Sequence, residues 1–163
     1  MKHELTLKGK YTLQHIRDGK VIQEMEFPNG ICDAGINDIF DVHFVAGTQI
    51  VTWYFGLIDL AGFSALADAD TSASHAGWAE FTTYSEATRP AFAPGAPAAK
   101  AVVSTTPTTF NITGTATVKG IFCISNNTKS GSTGILWGTA LFSSDIPVAS
   151  SDQLKVTYTV SGA

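Results

Sequence analysis

Charge is scarce in this sequence. Lys, Arg, Asp and Glu make up 15% of its 163 residues, against roughly a quarter in ordinary soluble domains. The ten basic side chains are outnumbered by fourteen acidic ones, for a formal net charge of -4. Phosphate contacts need clustered Lys and Arg, so this balance argues against a nucleic-acid partner. Long apolar runs are also missing. None approaches the ~20 residues that span a bilayer, which argues against a membrane partner. The opening MKHELTLKGKY alternates polar and apolar residues and lacks the apolar stretch of a signal peptide. This predicts a protein made and kept in a cytoplasm, or leaving it without the general secretion route. Cysteine is limited to Cys32 and Cys123, without CxxC spacing, and each reads as a small core residue rather than half of a disulfide.

Hydrophobic residues reach 44%, and fifteen Gly with many Thr, Ser and Ala take the place of charge. The chain is long enough for a single domain over residues 1–163 with one good core. The balance suits a β-rich protein with a weakly charged surface, part of it covered by partners.

Residues 4–14 place Leu5, Leu7, Tyr11 and Leu13 on one face and Glu4, Thr6, Lys8 and Lys10 on the other, the pattern of a half-buried strand. With VIQEMEF it makes an N-terminal hairpin over 4–27. A two-residue Asp18-Gly19 loop would set Leu13 opposite Glu24, apolar against charged. A three-residue loop of Arg17, Asp18 and Gly19 sets Leu13 against Gln23, Tyr11 against Met25 and Lys10 against Glu26, and is preferred. Pro28-Asn29-Gly30 ends the hairpin.

In DAGINDIFDVHF, residues Ile36, Ile39, Phe40, His43 and Phe44 fall on one helical stripe. Asp33 is the predicted N-cap and Gly47 the predicted stop. His43 reads as a histidine at the edge of the core. QIVTWYFGLIDL, 49–60, predicts a central strand buried on both faces, with Gly56 marking a bulge or the close approach of another backbone. After an irregular stretch come KAVVST, TTFNIT, TATVKGIFCIS, GILWGTALF and QLKVTYTV, strands separated by Pro, Gly, Asn and Ser clusters. In the last, Leu154, Val156, Tyr158 and Val160 face inward. Eight or nine strands with one short helix predict an all-β fold, an antiparallel β-sandwich of jelly-roll or immunoglobulin-like form.

RPAFAPGAPAAKA, 89–101, cannot be a central strand, because Pro90, Pro94 and Pro97 lack donors. It reads as a surface connector or as a stiff arm lying on another subunit with Phe92 as anchor. In the second case, deleting 89–101 should abolish partner binding and leave the domain folded.

DADTSASHAGWAEF, 68–81, is the densest polar cluster. As sequence neighbours, Ser74 and His75 are not thereby aimed at each other, and no GxSxG elbow, carboxylate pair or phosphate loop accompanies them. A metal could gather Asp59, Asp68, Asp70 and His75, but neither the EF-hand order nor a zinc spacing is present. A structural reading uses every residue. Asp70 caps a helical turn of Thr71 to Ala76, His75 meets the last carbonyls, Gly77 takes the left-handed position, and Trp78 pins the loop. No catalytic residue, cofactor or metal is expected.

The phrases TWYFGLID, ADTSASHAGWAEF, YSEATRPAF, GIFCISNNTKSGSTGILWG and SSDQLKVTYTV, in that order, resemble small structural proteins of tailed bacteriophage virions. The resemblance covers roughly residues 30–161 and leaves out the hairpin. It implies a non-enzymatic β-sandwich on the outside or at a junction of the capsid, the exterior of the phage head being preferred, made in the bacterial host cytoplasm. Capsid decoration (cement) proteins fit this size best. The partners implied are the major capsid protein and sister copies in a dimer or trimer. Contacts are expected from residues 61–79 and 89–101, with His75, Trp78, Pro90, Phe92, Pro94 and Pro97 as interface candidates, and from the hairpin. Rival readings are a neck, tail, baseplate or receptor-binding component, and a carbohydrate-binding module. The module needs an exposed aromatic, and Trp78 is its candidate because Trp53 and Trp137 sit in core-like runs. Hydrolysis of an activated ester, lost on Ser74→Ala, would favour an enzyme.

Overall fold

The structure is a computed structural model that describes residues 6–162. Glu4 and Leu5, expected in the first strand, lie outside the described residues. Among the described residues nine strands, all antiparallel, follow one another with a single short helix between the second and third. The predicted all-β antiparallel class is the one observed.

β1 (Leu7–Arg17) and β2 (Lys20–Ile31) form the N-terminal hairpin. Its turn is the two-residue Asp18-Gly19, with both residues at positive φ, 51° and 73°. That is the turn whose twist matches paired strands. The three-residue loop expected from the sequence is therefore wrong. Arg17 faces Lys20, and the register then shifts between His15 and Ile16, leaving Ile22 as an extra residue in β2. The bulge sets Leu13 opposite Met25 and Tyr11 opposite Phe27. The expected pairs were off by two residues, which preserves the face each side chain takes. Lys10 lies opposite Pro28 and reaches Glu26 diagonally, at 3.2 Å.

β2 leaves β1 at Asn29, as the Pro28-Asn29-Gly30 signal requires, but runs on to pair Gly30 and Ile31 with Thr139 and Gly138 of β8. This switch joins two layers. One holds β2, β1, β9 (Gln153–Gly162) and, along the outer edge of β9, β5 (Ala101–Val103) and β6 (Thr108–Asn111). The other runs from β8 (Leu136–Val148) through β7 (Ala116–Ile124) and β3 (Tyr54–Asp59) to β4 (Glu80–Phe81). Tyr11 and Tyr158 stack at 4.2 Å within the first layer, and Phe55 of the second meets both edge-on at 5.6 and 5.8 Å. Leu13, Leu154 and Val156 join Leu57, Ile121 and Val118 in the same fully buried cluster. Cys32 and Cys123 are buried and unbridged, and burial pushes the Cys32 thiol up to about 11.

The 49–60 strand is shorter than its sequence suggests. β3 starts at Tyr54, and Gln49 to Trp53 lie outside any strand. Gly56 does mark a close approach, by the Phe122 ring rather than a backbone: a Cβ there would sit 2.1 Å from it.

The helix differs most from expectation. α1 (Asp33–Phe40) continues into a π-helical turn (Asp41–Val45) that ends on Ala46 at φ 69°, not on Gly47. Cys32, not Asp33, is the N-cap residue, and the Asp33 amide donates to the Asp68 carbonyl at 2.9 Å. The helix docks through Gly35, where a Cβ would fall 2.6 Å from the Trp137 carbonyl oxygen. Its apolar stripe consequently points away from the core, and His43 is exposed rather than at a core edge.

A partly buried ionic cluster joins the end of β1 to the turn that leads into β9. The Asp152 carboxylate accepts Arg17 Nε and Nη2 at 2.8 and 2.6 Å, lies 2.8 Å from His15 Nε2, and accepts the Ala149 amide at 2.8 Å. The Arg17 bonds hold its carboxyl well below the usual carboxylate range. A folded value below the unfolded one of about 3.9 adds stability that is fully present above about pH 4. That contribution is lost as pH falls further. Urea unfolding should therefore weaken by on the order of 2 kcal/mol between pH 4 and pH 2 relative to Asp152→Asn.

Candidate functional site

The 61–79 loop is held by its own polar groups. Asp70 Oδ2 accepts the Ala67 amide at 3.0 Å and the Trp78 indole N–H at 2.9 Å. Trp78 is buried against Phe122, at 5.0 Å between centroids. The predicted helical turn from Thr71 to Ala76 is instead a tight bridge, Thr71 N to Ser74 O at 2.9 Å and Ser74 N to Thr71 O at 3.2 Å. Gly77 is not left-handed. It is needed because a Cβ would fall 2.2 Å from the Ala65 carbonyl oxygen.

His75 stacks on Trp78 at 4.0 Å, and its Nδ1 lies 3.0 Å from the Trp78 carbonyl oxygen. That ring nitrogen is turned to a backbone oxygen, not to Ser74, so no nucleophile and base are paired here. Asp59 binds the Ala61 amide at 2.9 Å while Asp70 holds Trp78, so these carboxylates serve separate turns. Among the described residues no three His, Cys, Asp or Glu side chains are gathered as a metal ion would need.

Beside this loop, Glu80 on β4 and Arg89 form a buried bidentate pair, Nε to Oε1 at 2.9 Å and Nη2 to Oε2 at 2.8 Å. Arg89 Nη1 also donates to the Asn126 carbonyl at 3.0 Å, and its guanidinium lies 5.1 Å from the centre of the Phe122 ring. Together with His75 and Trp78 the pair lines a cleft of about 300 Å³. Glu80 and Arg89 already satisfy one another, so this ion pair holds the wall of the cleft together.

The 89–101 segment is tied to its own sheet. Phe55 N donates to Pro90 O, Phe92 N to Trp53 O, Gly95 N to Val103 O and Thr105 N to Ala93 O, each at 2.8 or 2.9 Å. The segment thus lies along its own sheet and covers the outer edge of β5. Phe92 is a core residue packed at 5.4 and 5.7 Å against Phe55 and Tyr158, not an anchor for a neighbour. Pro90 is half-buried, whereas Pro94 and Pro97 are exposed. The six interface candidates therefore divide. His75 with Trp78 is one internal cluster, Phe92 belongs to the core, and Pro94 and Pro97 face solvent.

The surface that is free lies elsewhere. Phe40 is 55% exposed, Phe44 79%, Val45 72% and Val51 89%, and the two phenyl rings are 6.2 Å apart. A cleft of about 440 Å³ lined by Ile39, Val42, His43, Gln49, Ile50 and Trp53 joins the helix to the 49–53 segment. Trp53 and Trp137, read from sequence as core, are partly buried and line this cleft 5.7 Å apart. Sequence periodicity found the stripe and gave it the wrong destination. The signal that corrects it is Gly35, which marks the side of the helix where a backbone passes. No protein-family model, curated protein or solved structure matches this chain.

Proposed function

We propose that this chain is a structural component of a tailed-bacteriophage virion, a decoration (cement) protein bound to the outside of the head, where it stabilises contacts between major capsid protein subunits. The observation that carries the reading is the set of exposed apolar side chains Phe40, Phe44, Val45 and Val51 on a scaffold whose polar clusters bind their own loops. Exposed apolar side chains of this kind often form binding surfaces. The resemblance of its ordered phrases to small virion proteins supplies the setting. Work is done by burial: each 100 Å² of apolar surface covered contributes about 2.5 kcal/mol before ordering costs. Many weak copies on one shell add up to mechanical reinforcement.

The purified chain should co-sediment saturably with particles prepared without it and raise the temperature at which those particles release DNA. Failure to bind such particles would refute the decoration role. One observation favours a second reading: Trp53 and Trp137 flank an open cleft, the kind of aromatic wall that stacks on a sugar. Glycan-array binding lost on Trp53→Ala would support that reading, and no binding would close it. Trp78, the candidate from sequence, is buried and cannot serve.

A further inference from the structure

The run Gln49-Ile50-Val51-Thr52-Trp53 has the composition of a strand, and it leads directly into β3 at Tyr54. Yet among the described residues neither the N–H nor the C=O groups of Thr48 to Thr52 have a hydrogen-bond partner. Sequence preference and pairing disagree here, and such disagreements collect at functional surfaces. Open strand edges in monomeric proteins are ordinarily guarded by a lysine, another charge or a proline. This one has no such guard: from Val42 to Ile58 there is no Asp, Glu, Lys, Arg or Pro. Val51, in the middle of the run, is 89% exposed.

We infer that this edge pairs with the same edge of a second copy. The two 48–53 segments would lie antiparallel about a twofold axis close to Val51, with Phe44 and Val45 of both copies closing the contact. Three features select a sister copy over a foreign strand. An antiparallel pair of identical segments is self-complementary under a twofold axis, so one surface supplies both halves. The uncharged run gives identical copies nothing to repel, and gives a foreign partner no charge by which to be chosen. Finally, the area suffices. Four side chains exposed at 55%, 79%, 72% and 89% leave on the order of 500 Å² of apolar surface open, over half of the ~800 Å² that each partner contributes to a standard interface. The new ladder would lengthen β3 across the axis and cover the apolar face in one step.

Sedimentation of the full chain tests this without any particle. The wild type should be a dimer, and Val51→Lys should weaken association about tenfold or more by placing a charge in the apolar contact. Unchanged thermal unfolding at low concentration would show that the variant still folds. Under mild oxidation Val51→Cys should cross-link to itself, since residues facing each other across an antiparallel pair lie within disulfide reach. Val103→Cys, exposed on β5, should not. A monomeric wild type would leave the edge to a foreign strand and overturn the inference. A Val51→Lys protein that stays dimeric, or equal cross-linking from both cysteine variants, would overturn it too. The proposed shell contact draws on the same side chains, so the two readings compete for this face. A dimer that still binds particles must meet the shell through another surface. A monomer that binds them would give the face to the shell and overturn the inference.

Discussion

Replacing Arg89 with alanine should lower the free energy of unfolding by about 3–5 kcal/mol, because it strands Glu80 as a buried charge without its partner. Both side chains are almost fully enclosed, at 3% and 4% exposure. Glu80 would keep only the Ser130 amide, and the Asn126 carbonyl would lose its donor. In a domain of this size each kcal/mol shifts the midpoint by about 2–4 °C, so the drop in thermal midpoint should be about 6–20 °C. The partner experiment separates a missing charge from missing packing. The double variant Glu80→Leu with Arg89→Met should regain at least half of the loss, since a well-packed apolar pair often replaces a buried ion pair at no net cost. A double variant as unstable as Arg89→Ala would mean that shape, rather than charge, dominates.

Deleting residues 89–101 should abolish cooperative folding. The segment carries Arg89 and Phe92, two buried side chains, and its backbone pairs with Trp53, Phe55, Val103 and Thr105. The finer test is by single residue. Phe92→Ala should cost about 3–5 kcal/mol, the usual range for emptying an aromatic site in a core. Pro94→Ala and Pro97→Ala, exposed on the same segment, should stay within about 0.5 kcal/mol. An arm laid on a neighbouring subunit would give the opposite pattern, with the isolated domain indifferent to Phe92. Urea unfolding of the three variants decides between them.

Much of the fold was legible because strand periodicity is a local signal. Leu154, Val156 and Tyr158 alternate inward as their spacing requires, and the second half of the chain divides at its Pro, Gly and Asn clusters. The hairpin's face assignment survived a register error of two residues, since side-chain direction repeats every second residue. Its actual register depended on a bulge at Ile22, which no turn motif announces. The candidate site was far less legible. Phe40 and Phe44 lie on a helical stripe, and a stripe does not say which way a helix is turned. That is decided by Gly35 lying against Trp137, a contact between residues far apart in the chain. The same holds for Phe92: three prolines around it indicate stiffness, and only the tertiary fold shows what it covers. Residues 49–53 read as a strand, yet among the described residues the backbone groups of Gln49 to Thr52 find no partner, and composition alone does not say whether a strand-like run is paired.

The most direct measurement of the central claim, that this protein acts by docking on a viral shell rather than by chemistry, is a difference map. Electron cryomicroscopy of phage particles with and without the chain would supply it. Symmetry-ordered extra density on the outer shell, of a size to hold a two-layer β-domain, is the predicted result. Identical maps, or extra density confined to the tail, would contradict the placement on the head.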